Sequence, residues 1–75
     1  MYKETFAQKL KQARNDAGYT QRDVADILQI SKSTIASWEI GRTEPDIENL
    51  GKLADFYNVS TDWLIGTKGK NNPNL

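Results

Sequence analysis

The chain has no cysteine and no histidine. Without thiols there is no disulfide staple and no thiolate metal site. Without imidazole, the commonest general base and the commonest metal ligand are both missing. No apolar run approaches the roughly 20 residues that a membrane span needs, and no signal peptide opens the chain. These absences lead to the expectation of a soluble, cytoplasmic protein that carries neither metal nor cofactor. The length of 75 residues allows one small domain. A chain this short buries only about 60% of its unfolded surface, so its core must be efficient.

Charge of one sign is also lacking. Ten basic residues meet ten acidic ones, and that balance does not by itself suggest a nucleic-acid partner. The distribution is less even. Up to Thr43 the basic residues Lys3, Lys9, Lys11, Arg14, Arg22, Lys32 and Arg42 outnumber Glu4, Asp16, Asp23, Asp26 and Glu39. From Glu44 to Asp62 only Lys52 stands against Glu44, Asp46, Glu48, Asp55 and Asp62. A phosphate-facing surface is therefore expected in the first half. Ordinary solvated helix faces would explain the single charges equally well.

What the chain does have is helical periodicity. Phe6, Leu10, Ala13 and Ala17 form the stripe of a first helix, closed by Gly18. Thr20 caps a second helix, with Asp23 completing a capping box and Val24, Ala25, Ile27 and Leu28 on the apolar side. Ser31 caps a third helix and Gly41 ends it. Pro45 breaks the chain and Asp46 caps a fourth helix, with Ile47, Leu50, Leu53, Ala54 and Tyr57 as its stripe and Asn58 as its exit. Ser60 caps a last short helix through Trp63, Leu64 and Ile65, closed by Gly66. The expected fold is all-α, with helices at about 3–17, 20–28, 31–40, 46–57 and 60–65. Residues 1–67 would form the domain, and 68–75, "KGKNNPNL", a flexible tail or linker. The second and third helices are joined by a connection of the size that a helix-turn-helix uses.

The third helix, "SKSTIASWEIG", carries two kinds of face. Ile35 and Trp38 share one arc and belong in a core. Lys32, Ser33, Ala36 and Ser37 share the other, and all but the lysine are short. Small side chains let a helix axis approach the floor of a major groove about 12 Å wide. Serine can donate to or accept from base edges, alanine can pack on a thymine methyl, and lysine can reach guanine O6 and N7. A surface helix with ordinary small polar residues is the plain alternative, and periodicity leaves the two level. Glu39 falls roughly 40° from Ile35 on the helix wheel. It is thus partly inside, where an unpartnered carboxylate would cost several kcal/mol. Arg14, at the edge of the first helix's stripe, has the fork to satisfy it.

The stretch "YTQRDVADILQISKSTIASWEIGRTEPDIENLGKLADFYNVSTDWLIG" resembles the lambda-repressor-like (Cro/repressor, Xre-type) helix-turn-helix DNA-binding family. The likeness runs from about Phe6 to Gly66, and its elements are specific in combination: "TQ", "VA", the third helix, "GRTEP" and "VSTDWL". The resemblance implies a five-helix domain that binds double-stranded DNA as a transcriptional regulator, typically a repressor. It implies that Lys32, Ser33 and Ser37 read bases, and that Gln21, Thr34, Arg42 and Thr43 lie along the phosphate backbone. It also implies that Glu39 pairs with Arg14. A homodimer on a pseudo-palindromic operator follows, with half-sites about 34 Å apart, formed through Trp63, Leu64 and Ile65 or through a further domain. Two positions depart from the pattern. Gln29 stands where the turn usually has a left-handed glycine, at a cost of roughly 1–2 kcal/mol if it adopts that conformation. Glu44 sits in a loop expected to approach phosphate, which is unfavourable unless it points away.

Trp38 and Trp63 are more readily explained by packing than by base stacking. Ser33 beside Lys32 lacks the third group and oxyanion hole of a nucleophilic site, and there is no phosphate loop, so an enzyme is disfavoured. The rival of another class is a protein-interaction module on the same fold, such as an antitoxin or an antirepressor-binding component.

Overall fold

Every helix after the first begins at a side chain that replaces a missing backbone partner. The computed structural model describes residues 1–67; the tail expected at 68–75 lies outside the described residues. The helices are α1 (Tyr2–Ala17), α2 (Gln21–Leu28), α3 (Lys32–Glu39), α4 (Ile47–Tyr57) and α5 (Thr61–Ile65). Thr20 Oγ1 accepts the Asp23 N–H at 3.0 Å while Asp23 Oδ2 accepts the Thr20 N–H at 2.9 Å, a complete capping box. Ser31, Asp46 and Ser60 accept from the backbone N–H groups of Thr34, Asn49 and Trp63. Each such cap contributes about 1 kcal/mol, which matters where α2, α3 and α5 are too short to be stable alone.

Left-handed residues end four of the helices: Gly18, Gln29, Asn58 and Gly66. Gly66 has φ +92°, and a Cβ there would meet Thr5 Cγ2 at 2.7 Å. Only glycine lets the end of α5 lie this close to α1.

One core holds the helices together. Phe6 and Leu10 of α1 meet Val24 and Ala25 of α2, Ile35 and Trp38 of α3, Leu53 and Ala54 of α4, and Leu64 of α5. Tyr19, Phe56 and Tyr57 close one side as an aromatic group, with ring centroids 5.2 Å and 5.0 Å apart. α1 is the central support, packing against α3, α4 and α5, while α2 packs against α3. The Lys9 ammonium lies 4.6 Å from the centroid of the Trp63 ring, a cation–π contact that fastens α5 to α1.

Three apolar residues assigned to stripes from periodicity lie outside the core. Ala17, in the last turn of α1, is exposed; the inner face of that helix ends instead at Ala13 and Arg14, and it includes Ala7. Ile27 is 53% exposed. It projects roughly 60° from Val24 on the side away from Ala25. Ile47, in the first turn of α4, is 86% exposed. Leu64, expected at a dimer contact, has 0% of its surface exposed and fills the core. It has nothing to offer a second copy. Trp63 and Ile65 are half-buried.

Candidate nucleic-acid interface

The presentation of α3 begins with the turn before it. Gln29 adopts φ 59°, ψ 45°, the left-handed conformation usually given to glycine. Its side chain helps hold the turn, since Gln29 Nε2 donates to Asp26 O at 2.8 Å. The Ile30 N–H then donates back to Ala25 O at 3.1 Å. The strain of a non-glycine residue here, roughly 1–2 kcal/mol, is accepted rather than avoided. Ser31 follows in extended conformation as the cap of α3.

Ile35, Trp38 and Glu39 form the buried side of α3. Glu39 is bound on both oxygens: Arg14 Nε donates to Oε2 at 2.7 Å and Arg14 Nη2 to Oε1 at 2.9 Å. The remaining guanidinium nitrogen, Nη1, donates to Tyr19 O at 2.9 Å. Gln21 Nε2 adds a further donor to Glu39 Oε1 at 3.1 Å. The Glu39 side chain is 1% exposed and the Arg14 side chain 11%. The hydrogen bond to Glu39 raises the Arg14 pKa above its ordinary value. Burial, and next the Glu39 charge, push the Tyr57 phenol up to about 12. This cluster joins the end of α3 to α1, to the start of α2 and to the electrostatic surroundings of α4. No buried side-chain polar atom among the described residues lacks a partner.

The opposite side of α3 is left open. Lys32 and Ser33 are exposed, Ala36 and Ser37 are half-buried, and Ile40 just past the helix is 68% exposed. Thr34 is half-buried, with Oγ1 2.7 Å from Ser31 Oγ. The ion pairs among the described residues are Met1–Glu4 and Arg14–Glu39, so Lys32 and Arg42 are outside both. Gly41, at φ +78°, turns the chain back beside α3, and the Arg42 N–H donates to Ser37 O at 3.0 Å. Thr43 Oγ1 then lies 2.9 Å from Ser37 Oγ. The loop residues Arg42 and Thr43 thus flank the outward edge of α3. Gln21, at the start of α2, is tied by its amide to Glu39 at the far end of α3.

Glu44, next in the chain after Thr43, is exposed. It lines a cleft with Tyr2, Lys3, Phe6, Pro45, Leu50 and Ile65, a set that contains no residue of α2 or α3. Three links had no signal in the sequence: Gln21 to Glu39, Thr43 to Ser37, and Lys9 to Trp63. Each joins residues whose approach depends on tertiary packing. No group of His, Cys, Asp or Glu among the described residues could hold a metal, and no described helix is long and apolar enough to cross a membrane.

Comparison with known proteins adds family context to this geometry. A family model described as helix-turn-helix matches residues 10–64. The HTH-type transcriptional regulator ImmR of Bacillus subtilis (strain 168) is 42% identical over 62 residues, covering 83% of this chain and 49% of ImmR. The SPbeta prophage-derived HTH-type regulator YonR of the same organism is 42% identical over 60 residues, covering 80% of this chain and 56% of YonR. Among solved structures, the SOS-response transcriptional repressor LexA of Eubacterium rectale is similar with a TM-score of 0.80 at 27% identity, covering 93% of this chain and 74% of that one. The chain spans about half the length of the curated relatives it matches.

Proposed function

The chain belongs to the Cro/repressor-type helix-turn-helix family, and from that premise we propose that it is a sequence-specific, double-stranded-DNA-binding transcriptional regulator, acting as a repressor. The observation that carries the proposal is the two-sided construction of α3. One side is held in the core by Ile35, Trp38 and the Glu39 cluster. The other presents Lys32 and Ser33, which are exposed, and Ala36 and Ser37, which are half-buried, beside the loop that bears Arg42 and Thr43.

In this reading α3 enters the major groove. Lys32, Ser33 and Ser37 meet base edges, while Thr34, Arg42 and Thr43 set register through the phosphates. Gln21 serves the same purpose at the start of α2. Its Nε2 carries two hydrogens, and one spent on Glu39 leaves the other for a phosphate oxygen. The buried carboxylate thereby holds Gln21 in place. Glu44 lines a cleft with residues of α1, α4 and α5, and this reading requires its carboxylate to stay on that side, off the phosphates. A single domain reading a few base pairs binds too weakly to select one genomic site. The protein therefore acts as a homodimer on a pseudo-palindromic operator, with half-sites about 34 Å apart. Ile65 and the neighbouring cleft offer apolar surface for that contact.

The test is selection of bound duplexes from a random pool, followed by affinity measured against salt. The proposal expects a pseudo-palindrome and a log–log slope set by the number of phosphates neutralised. Salt-insensitive binding to a protein partner, with no duplex selected, would overturn it in favour of an interaction module.

A further inference from the structure

The Ser37–Thr43 pair bears on which bases α3 can read. Gly41 and the Arg42 N–H to Ser37 O bond fold the loop onto α3, and this brings the two hydroxyl oxygens to 2.9 Å. Each hydroxyl has one hydrogen and two lone pairs. The bond between them uses one of the two hydrogens, and the direction it takes decides what Ser37 has left for a third group.

If Thr43 donates, Ser37 keeps its own hydrogen and can give it to guanine O6 or N7, or to thymine O4. If Ser37 donates, it has only lone pairs left, and in the major groove it can meet only the amino groups of adenine N6 and cytosine N4. Phosphate oxygens accept and do not donate. A Thr43 hydroxyl bound to phosphate has spent its single hydrogen there, so the link to Ser37 must be donated by Ser37.

We infer that Thr43 fixes the hydrogen-bonding polarity of Ser37 on DNA, so that Ser37 reads an exocyclic amino group and rejects guanine and thymine at that place. The inference rests on the proposed function and makes a loop residue that touches no base a determinant of specificity. Ser33 provides an internal contrast. Its Oγ lies 3.3 Å from Ser31 Oγ, which is already engaged with Thr34. No residue of the phosphate-side loop constrains it, so a phosphate contact does not fix the direction in which its hydroxyl donates.

The experiment is duplex selection from a random pool with the full chain, followed by competition between duplexes that differ at one base pair. Ser37→Ala identifies the position, because discrimination there disappears. In the wild type that position is adenine or cytosine on one strand. Thr43→Val frees the Ser37 hydrogen and admits guanine or thymine at the same position. Discrimination falls by roughly three- to tenfold, the worth of one hydrogen bond. Preferences elsewhere are kept, while affinity falls for all duplexes through the lost phosphate contact. Thr43→Ser restores the hydroxyl and the preference. Adding Ser37→Ala to Thr43→Val changes the preference at that position no further than Ser37→Ala alone. Thr43 is exposed, and equal melting temperatures show that folding is not the cause.

Two outcomes would overturn the inference while leaving the proposed function intact. One is a Thr43→Val protein that binds every duplex more weakly with its base preferences unchanged. The other is a wild-type preference for guanine or thymine at the Ser37 position. A wild-type protein that selects no duplex overturns the proposed function and this inference with it.

Discussion

The two faces of α3 differ in how many partners each side chain has. On the inner face Ile35 and Trp38 are packed, and Glu39 receives three hydrogen bonds from Arg14 and Gln21. On the outer face Lys32 is exposed and outside the described ion pairs, and the serines bond only to neighbouring hydroxyls. The inner face leaves the helix one position and orientation. The outer face leaves side chains that can still exchange partners. A rigid axis with adaptable contacts suits recognition of a rigid groove, because the ordering cost is met on folding rather than on binding. The comparison predicts that changes on the inner face act on stability and those on the outer face act on binding.

The sharpest way to break the comparison is Glu39→Ala. It leaves the Arg14 guanidinium nearly buried with only Tyr19 O and no counter-charge. The expected loss is about 3–5 kcal/mol, the scale for removing one member of a buried ion pair. In a domain this small that is a large part of the total stability. Chemical denaturation measures it, and a loss below about 0.5 kcal/mol, typical of an exposed site, would remove the inner face's claim to fix the helix.

Next comes the alkaline limb of stability. The Tyr57 phenol is raised from 10.0 to about 12, by burial first and by the Glu39 charge second. A raised value means that the fold favours the neutral phenol. That contribution is fully present below pH 10 and is lost as the pH rises towards 12. Tyr57 is only half-buried, so the contribution is discounted to about 1–1.5 kcal/mol. Tyr57→Phe should remove this part of the alkaline loss, measured as the difference between the two proteins' stability curves from pH 9 to 12. Parallel curves would show that the fold does not favour the neutral Tyr57 phenol.

How far these features were legible depends on how local they are. The caps Thr20, Ser31, Asp46 and Ser60 act on a backbone group three residues on, so spacing along the chain reveals them. The stripes show which residues share a face, but not where the neighbouring helices stop. Ala17, Ile27 and Ile47 share those faces yet lie outside the core, and Arg14 takes the place of Ala17 at the end of the inner face of α1. Leu64 shows the same limit from the other side. Its position in a short apolar helix fits a core or an interface equally, and only the packing of α5 on α1 decides for the core. The division of α3 into two faces could be read from the wheel. The bonds from Gln21 to Glu39 and from Thr43 to Ser37 could not. They are set by the two turns that bracket α3, one at Gln29 and one at Gly41.

Those turns offer a smaller test at the border between the faces. Gln29→Gly removes the strain of a left-handed non-glycine residue, gives up the bond to Asp26 O and adds freedom to the unfolded chain. Strain relief of about 1–2 kcal/mol less about 0.5–1 kcal/mol for chain freedom leaves about 0.5–1 kcal/mol, and the lost exposed bond lowers the expected gain in denaturant unfolding to about 0.5 kcal/mol or less. Affinity for the selected duplex should not change, because the path of the turn stays the same. A gain in stability accompanied by weaker binding would mean that the glutamine, and not only the turn, belongs to the outer face.

The smallest expected effect on stability, and the one that most directly separates the faces, belongs to Arg42→Ala. Arg42 is exposed and lies outside the ion pairs described, so its removal should move stability by no more than about 0.5 kcal/mol. Its backbone N–H to Ser37 O bond survives the substitution, so the loop keeps its path. Binding should weaken for every duplex alike, and the slope of log affinity against log salt should fall by about one, the signature of a single lost phosphate contact. A change confined to base preference, with the salt slope intact, would place Arg42 among the base-reading residues. The outer edge would then extend beyond α3 into the loop that follows it.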